Sequence, residues 1–441
     1  MKLEQWLRSP KTIKRSQKPY AHFDYRTNIL DQWEYISKPE NIAHHGFWPF
    51  IHYERVFFKY NKKTGKEKKA RDICYASHID SCIFQYYSFL LNERYNDRLV
   101  KDDLNMTAIA YRTNLEKQNN LHFAHRAIRF IQSHKPCYIM IGDFSGFFDH
   151  LDHAYLKERW CDLLGLQSLP VDHYAVFKNI TRYSKWERSN LLSINGLKND
   201  RKGLRELNAK QRIITEEQFK VGKKAIEKNT APYGIPQGSP ISAVLANIYM
   251  LDADKKIQDA MIAVGGLYMR YSDDFIVVIP NGETEAIKSI MQVKSILDTI
   301  PDLKLEPRKT QYFRYNAQGL ANCGMLIDKD ANCKKNVIHF LGISFDGQAV
   351  SIGPKSVTKY YYRMYRKGKT IKRWKGISPT GKHISNQNIY ENYSKHGKQN
   401  YLSYIGRAEE VFPEEKQIRL VSKRHMQRIR RAISYKGQVK S

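Results

Sequence analysis

Apolar residues recur at helical spacing in several long stretches of the chain. Between residues 79 and 99, a 3.6-residue period is approached at Ile79, Ile83, Leu90 and Tyr95. Similar patterns predict further helices over the ranges 121–134, 152–164, 241–261 and 284–298. Ser239-Pro240 comes just before the third of these, and a serine followed by proline is typical of an N-cap and a first helical residue. We therefore expect Ser239 to cap that helix.

Shorter apolar runs predict strands between the helices. One covers residues 137–141 and ends in Gly142-Asp143, and another covers 339–345. A basic hairpin is expected over 52–76, because its two halves flank a stretch at 61–66 whose composition is typical of a turn. These strands and the helices together predict a mixed helix and strand architecture.

A second hairpin carries the most informative chemistry. Residues 267–271 and 275–279 are apolar and flank a tight polar turn, so Asp273 and Asp274 lie at the tip. Adjacent carboxylates at the end of a buried hairpin are costly unless a cation neutralises them. Antiparallel pairing with the strand that ends at Asp143 would bring three carboxylates together, as two-metal catalysis requires. Carboxylate oxygens suit Mg²⁺, although an Asp-Asp pair taken alone is equally compatible with a solvated turn.

Charge indicates the kind of partner. The 441 residues carry a net charge of +30 and give a pI near 9.7. Such an excess favours a polyanion, most simply nucleic acid, and the alternative is a basic protein kept soluble by self-repulsion. The 29 Tyr, 19 Phe and 6 Trp suit stacking on bases, although most are expected in the core. The length predicts two or three lobes.

Cysteine usage and hydropathy indicate the compartment. Six cysteines occur without a Cys-x-x-Cys pair, which argues against a structural zinc site. Residues 1–20 are basic without an apolar signal core, and no 18-residue apolar run occurs. We therefore expect a reducing, cytoplasmic setting and no membrane partner.

Two regions differ from the rest in composition. Residues 165–230 are polar and strongly charged, which predicts an inserted helical excursion or a flexible segment. The 96 residues from Asp346 to the end contain 22 Lys and Arg against six Asp and Glu. This tail is the part of the chain best suited to bind a polyanion.

Several segments, in order along the chain, resemble the motifs of reverse transcriptases. Lys69-Ala70-Arg71-Asp72-Ile73 is similar to the finger motif that holds a triphosphate. The five segments that resemble motifs A to E are Asp143-Phe144-Ser145-Gly146-Phe147-Phe148-Asp149, Pro236-Gln237-Gly238-Ser239-Pro240-Ile241-Ser242 with Asn247, Tyr271-Ser272-Asp273-Asp274, Leu305-Glu306-Pro307-Arg308-Lys309-Thr310, and Phe340-Leu341-Gly342-Ile343. The similarity covers roughly residues 50–345. Five motifs in order are more specific than any one of them, so the chain is identified as a member of that family.

The resemblance implies an α+β right-hand polymerase with an antiparallel palm sheet and a helical basic thumb. It places the N-terminal region and fingers at 1–135, the palm at 136–345 with an insert at 165–230, and the thumb and C-terminal tail at 346–441. It also implies a nucleotidyltransferase, an RNA-directed DNA polymerase that uses two Mg²⁺ ions per site. The implied partners are an RNA template, dNTPs and the DNA product.

The resemblance implies catalytic and metal-binding roles at matching positions. Asp143 and Asp273 would ligand both metals, with the carbonyl of Phe144 assisting. Asp274 would be a weaker or outer ligand, or would orient the hairpin. Lys309 would protonate or neutralise the leaving pyrophosphate, or would be a surface lysine beside a turn.

Other matching positions would bind the nucleotide. Arg71 would clamp the β- and γ-phosphates, since a guanidinium binds phosphate bidentately, and Lys69 would assist or be solvated. Gln237 would line the sugar or bond to backbone, and Gly238 would allow close approach of backbone to substrate. Phe148 occupies the position of the large aromatic residue that collides with a ribose 2′-hydroxyl in reverse transcriptases, so it favours dNTPs even if it also packs in the core.

Nearby acids are expected to be structural. Asp149 and Asp152 bracket the start of the helix predicted over 152–164, where carboxylates cap and meet the helix dipole.

Further cues concern the subgroup. The residues after Asp346 contain no Asp, so an RNase H or integrase site built on clustered acids is not expected there. Residues 108–112, 165–230, 393–397 and 401–404 resemble stand-alone bacterial reverse transcriptases linked to antiphage defence. Such enzymes often copy a dedicated noncoding RNA.

Five alternatives stay open. They are a retron enzyme, a diversity-generating reverse transcriptase, a group II intron-type enzyme, an RNA-templated RNA polymerase and a catalytically idle RNA-binding scaffold. Some relatives prime from a protein hydroxyl, for which Tyr360, Tyr361, Tyr362 and Tyr365 are candidates. Stacking on RNA or packing in the thumb is the favoured interpretation of these tyrosines.

Overall fold

The structure, a computed structural model, describes residues 2–61, 65–115, 118–328, 335–374, 377, 381, 383, 386–395 and 400–434. Its helices are α1 (Leu3–Arg8), α2 (Pro10–Ser16), α3 (Trp33–Ile36), α4 (Pro39–Ala43), α5 (His78–Lys101), α6 (Asn120–Ser133), α7 (His153–Leu164), α8 (Val171–Thr181), α9 (Arg188–Ile194), α10 (Arg201–Ala209), α11 (Glu216–Gly222), α12 (Ser242–Tyr249), α13 (Leu251–Ala263), α14 (Glu283–Asp298), α15 (Pro354–Arg373), α16 (Gln387–Tyr393), α17 (Tyr401–Val411), α18 (Lys416–Ser422) and α19 (His425–Ile433). Short 3₁₀ turns lie at Phe147–His150, Lys223–Ala225 and Gly324–Leu326.

The strands are β1 (Phe50–Glu54), β2 (Phe57–Asn61), β3 (Gly65–Lys69), β4 (Asp72–Tyr75), β5 (Cys137–Asp143), β6 (Ser184–Glu187), β7 (Glu227–Lys228), β8 (Leu267–Tyr271), β9 (Asp274–Ile279), β10 (Gln311–Asn316), β11 (Gly319–Asn322), β12 (Ile338–Phe340), β13 (Ile343–Phe345) and β14 (Val350–Ile352). Helices and mainly antiparallel sheets together confirm the predicted α+β class.

The chain forms two compact units that alternate along the sequence. The first unit contains Met1–Glu116, Phe144–Asp259 and Gln292–Leu305, and the second contains Lys117–Asp143, Ala260–Met291 and Glu306–Ser441. The predicted division at 1–135, 136–345 and 346–441 stays a prediction. Among the described helices, none is both long and apolar enough to cross a membrane.

The first unit contains a four-stranded sheet in the order β4-β1-β6-β7. β1 pairs antiparallel with β4 and parallel with β6. β2 and β3 form a separate two-stranded ribbon, and Arg55 and Arg71 exchange backbone hydrogen bonds of 2.8 and 3.2 Å between ribbon and sheet. The basic hairpin predicted over 52–76 is thus confirmed, although residues 62–64 of its turn lie outside the described residues.

The insert at 165–230 contributes to the core of the first unit. It contains α8 to α11 with β6 and β7. Trp186, Leu191 and Leu207 of this insert are buried in one cluster with Phe23 and Ile51. The helical excursion is confirmed, and a flexible segment is not, because these apolar side chains hold the described insert against β1.

Helix starts agree only in part with the sequence patterns. Asp152 caps α7 as expected, since its Oδ1 accepts from the Tyr155 amide at 2.7 Å. Ser239 does not cap the next predicted helix, because α12 begins at Ser242 with Ile241 as N-cap. The range 241–261 is also two helices, α12 and α13, which meet at Met250. A Ser-Pro pair fits an N-cap, but here it belongs to the turn before the helix.

The second unit is built on a five-stranded sheet in the order β11-β10-β5-β9-β8. The central strand β5 is buried along its whole length and pairs antiparallel with β10 and β9. The helices predicted over 121–134 and 284–298 are confirmed as α6 and α14. The single strand predicted over 339–345 is instead two strands, β12 and β13, because the chain turns at Leu341 and Gly342, both with positive φ.

The described parts of the C-terminal tail are mainly helical and also contain strand β14. α15 and α19 pack closely, and a Cβ on Gly368 would lie 2.7 Å from the Cβ of Ala432. Tyr360 and Tyr361 are buried and donate hydrogen bonds to the carbonyls of Tyr393 and Val421 at 2.7 and 2.6 Å. The five described cysteines are buried, and none of them forms a disulfide. Cys333 and residues 396–397 of one subgroup segment lie outside the described residues.

Candidate active site

The tip of the β8–β9 hairpin is a two-residue connection. Tyr271 and Asp274 are the last paired residues, so Ser272 and Asp273 form the turn. Ser272 has φ +61°. The buried guanidinium of Arg270 donates to the Ser272 carbonyl at 3.0 Å. The hairpin predicted from the two apolar runs is confirmed, with a buried cationic side chain tied to its turn.

Asp274 lies directly opposite Asp143 in the antiparallel pair of β9 and β5. Opposite residues on neighbouring strands place their Cβ atoms within about 4.5–5.5 Å. Gly142 faces Phe275 one position earlier, and a Cβ at Gly142 would lie 2.3 Å from the Phe275 ring. The ring therefore packs on the glycine backbone, and the two carboxylates come together at the end of the sheet.

Burial and mutual repulsion act on these carboxylates. Burial, followed by the charges of Asp273 and Asp143, raises the pKa of Asp274 to about 7. Burial also raises the pKa of Asp273, and Asp143 adds to this while Lys309 opposes it. Such shifts mean that the site stabilises positive charge or a shared proton.

Lys309 reaches this cluster from the turn before β10. The Glu306 amide donates to the Asp143 carbonyl at 2.8 Å, and the Lys309 amide donates to Glu306 at 2.9 Å. The Lys309 ammonium forms an ion pair with Oδ1 of Asp143. A side chain 166 residues from Asp143 therefore supplies the nearest compensating charge.

The cluster already contacts one cation, the Lys309 ammonium. Among the residues that the structure describes, no group of three or more His, Cys, Asp or Glu side chains stands in metal-ligand geometry. Oxygen-only donors with raised pKa values fit a hard divalent cation.

The predicted nucleotide residues lie in the first unit. The Cys74 amide of β4 donates to the Gln237 carbonyl at 2.8 Å. Gly238 has φ +115°, and a Cβ there would lie 2.5 Å from the Cys74 carbonyl oxygen. Only glycine combines that backbone conformation with such close approach, so the turn of Gln237 and Gly238 is docked on β4.

The cationic residues of this region are exposed. Arg71 directly precedes β4, and its guanidinium lies 5.6 Å from the centre of the Phe57 ring. Lys69 ends β3 and pairs with Phe57 across the ribbon. Both side chains are accessible to an anion, and no described interaction removes the charge of Arg71.

Phe148 packs against the core while remaining partly accessible. Its ring meets the Phe147 ring edge-on at 5.7 Å, and Phe147 stacks on Phe144 at 5.5 Å. The Phe148 carbonyl accepts from the Ile235 amide at 2.9 Å, which joins the first motif to the segment before Gln237. Packing of Phe148 is therefore established, and its role in sugar selection stays a prediction.

Sequence reasoning missed two residues near these positions. Asp149 does not cap a helix, since it accepts from the Gln237 side-chain amide at 3.3 Å. Arg270 is fully buried beneath the hairpin tip. The sequence could have indicated a special role for Arg270, because a charged residue inside an apolar strand needs a partner when it is buried. No local pattern indicated the hydrogen bond between Asp149 and Gln237.

Two groups of predicted residues result, each within its own unit. The second unit brings together Asp143, Asp273, Asp274 and Lys309. The first unit brings Gln237, Gly238 and the strand after Arg71 together. Phe144, whose carbonyl was a predicted ligand, pairs with Leu305 in an isolated bridge.

Comparison with solved structures finds telomerases. An apo telomerase from Candida tropicalis has a TM-score of 0.41 at 11% identity, covering 93% of this chain and 65% of that one. A C-terminally truncated apo form from the same organism has a TM-score of 0.40 at 11% identity, covering 69% and 57%. A telomerase from Candida albicans in complex with a fragment of telomeric RNA has a TM-score of 0.39 at 12% identity, covering 92% and 58%. The chain thus spans less than two thirds of these proteins.

Comparison with curated proteins gives no match. The family described as reverse transcriptase (RNA-dependent DNA polymerase) matches residues 90–345, more than half of the chain. That range contains Asp143, Phe148, Gln237, the Asp273-Asp274 hairpin and Lys309. The chain therefore belongs to the reverse transcriptase (RNA-dependent DNA polymerase) family.

Proposed function

We propose that this protein is an RNA-directed DNA polymerase that extends a 3′-hydroxyl with dNTPs on an RNA template. The observation that carries the proposal is the cross-strand pair of Asp143 and Asp274, with Asp273 in the adjoining turn. Two acids on neighbouring strands and a third in the adjoining turn, with the Lys309 ammonium beside Asp143, suit phosphoryl transfer, because its catalysis rests on positioning and charge neutralisation.

Asp143, Asp273 and Asp274 would hold two Mg²⁺ ions, with the Phe144 carbonyl assisting. When bound, these ions would activate the 3′-hydroxyl and neutralise charge on the pyrophosphate. The carboxylates keep their positions because their strands are paired on both sides of Asp274. Lys309 would leave Asp143 as the ions bind and supply its charge or proton to the leaving group.

The first unit would select and hold the incoming nucleotide. Arg71 would clamp the β- and γ-phosphates with help from Lys69, because a guanidinium fork matches phosphate oxygens. Gln237 and Gly238 would line the sugar, and Phe148 would exclude a 2′-hydroxyl. Asp149 would orient the Gln237 amide through the hydrogen bond that joins them.

The decisive experiment is nucleotide incorporation by the purified protein with Mg²⁺ and each labelled dNTP or rNTP in turn. A primed RNA and any co-purifying RNA serve as templates. Synthesis from dNTPs that is lost in Asp273→Ala, with RNA binding retained, is expected. Asp298→Asn, which changes an exposed acid at the end of α14, should leave synthesis intact.

Other outcomes would identify other functions. Synthesis from rNTPs would indicate an RNA-templated RNA polymerase, against which Phe148 argues. RNA binding without any synthesis, on every template offered, would indicate a binding scaffold.

We further propose that the template is an associated noncoding RNA and that the product serves antiphage defence. The support is the resemblance of residues 108–112, 165–230 and 401–404 to defence-linked enzymes. Sequencing the nuclease-sensitive product would identify the template. Plaque counts on cells with the wild-type gene or Asp273→Ala would test the role, and equal counts would contradict it. Retron and intron-type enzymes are the alternatives.

Tyrosine priming has narrower candidates than the sequence suggested. The hydroxyls of Tyr360 and Tyr361 are bonded to backbone carbonyls, whereas Tyr362 and Tyr365 are exposed. Peptide mapping of the protein after synthesis would detect a nucleotide linked to either exposed tyrosine. We favour nucleic-acid stacking for both.

A further inference from the structure

His52 lies in the middle of the first unit's sheet with a carboxylate on each side. Its Nε2 contacts Oδ1 of Asp72 at 3.1 Å, and its Nδ1 contacts Oε1 of Glu187. The imidazole is only 7% exposed, while Asp72 is 69% and Glu187 34% exposed. The three residues belong to adjacent strands β4, β1 and β6.

Each of the two contacts between the His52 ring and a carboxylate requires a proton between nitrogen and oxygen. Ionised carboxylates only accept hydrogen bonds, and a neutral imidazole has a single donor. An imidazolium donates from both nitrogens, so His52 carries positive charge when both contacts form. A buried cation between two carboxylates is stabilised by both of them.

Asp72 is the residue that makes this charge relevant to nucleotide binding. It directly follows Arg71, the proposed phosphate clamp, and starts the strand on which the Gln237 turn is docked. The negative charge of Asp72 also reaches Asp149, where it adds to the effect of burial in raising the pKa. An uncompensated Asp72 would repel a triphosphate and would offer the Arg71 guanidinium a competing partner.

Glu187 holds the other side of the imidazolium and comes from the insert. Trp186 beside it is fully buried, and the Arg188 guanidinium lies 4.0 Å from the centre of the Tyr53 ring. Lys185, two residues before Glu187 in β6, forms an ion pair with Glu227 at 3.3 Å. The insert therefore fixes a carboxylate against β1.

We propose that His52 is a positioning residue for binding of the nucleotide triphosphate. Its imidazolium neutralises the Asp72 carboxylate, and the Arg71 guanidinium is thereby left to bind phosphate. Glu187 keeps the imidazolium in place, which gives the 165–230 insert a role in substrate binding. This inference rests on the proposed function, since it assigns the phosphates of the incoming dNTP to Arg71.

The test compares four variants by steady-state incorporation and by direct dATP titration of the protein with Mg²⁺. His52→Gln should raise the KM for dNTP roughly tenfold with kcat within about twofold, because ground-state binding alone is weakened. Asp72→Asn should stay near wild type. The double variant His52→Gln/Asp72→Asn should recover a near-wild-type KM, since no free carboxylate remains. Glu187→Gln should move KM in the same direction as His52→Gln.

Rescue separates this role from simple support of the sheet. Ile51→Val removes a methylene from the neighbouring buried residue of β1. It should leave the KM for dNTP unchanged even where it lowers the free energy of unfolding as much as His52→Gln does. Failure of Asp72→Asn to rescue His52→Gln, or an equal KM change in Ile51→Val, would overturn the inference while wild-type synthesis upholds the function. A wild-type protein that neither binds dATP nor incorporates it would overturn both.

Discussion

Asp143 and Asp274 face each other across β5 and β9, and Lys309 forms an ion pair with Asp143. Two carboxylates in direct register repel each other, and here they are also largely withdrawn from water. The ammonium relieves part of this repulsion in the metal-free protein. Stability, metal binding and catalysis should therefore be coupled at this end of the sheet.

Asp274→Asn should stabilise the metal-free protein above neutral pH. The pKa of Asp274 is raised to about 7, whereas an unfolded carboxyl titrates near 4. The folded state thus binds more protons between about pH 4 and about pH 7, and stability falls as pH rises through that window. In EDTA at pH 8, urea unfolding should give Asp274→Asn roughly 2–4 kcal/mol more stability.

Mg²⁺ supplies the control for this prediction. Mg²⁺ should stabilise the wild type at pH 8 and so reduce the difference in free energy of unfolding between the wild type and Asp274→Asn. DNA synthesis by the variant should be lower than that of the wild type. Equal stability of the two proteins in EDTA from pH 4 to pH 8 would contradict the proposed repulsion.

Lys309→Gln should lower the midpoint of thermal unfolding in EDTA by a few degrees, since Asp143 loses its compensating charge. Mg²⁺ should recover most of that loss. Synthesis should fall by roughly 10- to 100-fold even with Mg²⁺, as expected for loss of a proton or charge donor. Lys304→Gln, which changes an exposed lysine nearby in the sequence, is the control. A lower unfolding midpoint of Lys309→Gln that Mg²⁺ does not restore would show that Lys309 does not act through the carboxylates.

Gly142→Ala should destabilise the second unit by roughly 1–3 kcal/mol through overpacking. The new methyl group would fall 2.3 Å from an atom of the buried Phe275 ring. Because these residues immediately precede and follow Asp143 and Asp274, synthesis should fall as well. Gly282→Ala is the matched control, since nothing lies within 4 Å of its Cβ position. Denaturant unfolding that gives both variants equal stability would refute the packing argument.

Phe148→Ala should increase the use of rNTPs relative to dNTPs. Removing the ring leaves space for a 2′-hydroxyl, whereas binding of dNTPs changes less. Competition between matched dNTP and rNTP, measured as the ratio of kcat/KM values, tests this. Phe58→Ala removes an exposed ring from β2 and should not change the ratio. An unchanged ratio in Phe148→Ala would leave that ring a packing role alone.

His22→Phe should make the stability of the folded protein decrease less steeply as the pH falls. Burial lowers the pKa of His22 to about 3, and the unfolded side chain titrates near 6.5. The unfolded state binds more protons between these values, so stability falls as pH drops from about 6.5 to about 3. Thermal unfolding across that range should show a shallower decline for His22→Phe. His44→Asn, at an exposed position, should follow the wild type.

Local patterns were sufficient where neighbouring residues supply the physics. Asp152 caps α7 because the capping hydrogen bond spans three residues. The β8–β9 hairpin follows from two apolar runs and a short turn. The prediction that Ser239 caps a helix was wrong because a Ser-Pro pair suits both an N-cap and a turn. In the structure the helix begins at Ser242. The turn between β12 and β13 was missed because Leu341 adopts a positive φ that its side chain does not favour.

The amino-acid sequence by itself determined the α+β class, the hairpin that carries Asp273 and Asp274, and the order of motifs that defines the family. Only the tertiary structure decided which residues face each other. The register of Asp143 with Asp274, the ion pair of Lys309, and the two carboxylates of His52 join residues 20 to 166 positions apart. Such contacts depend on which faces of paired strands are buried together, and no local propensity encodes them.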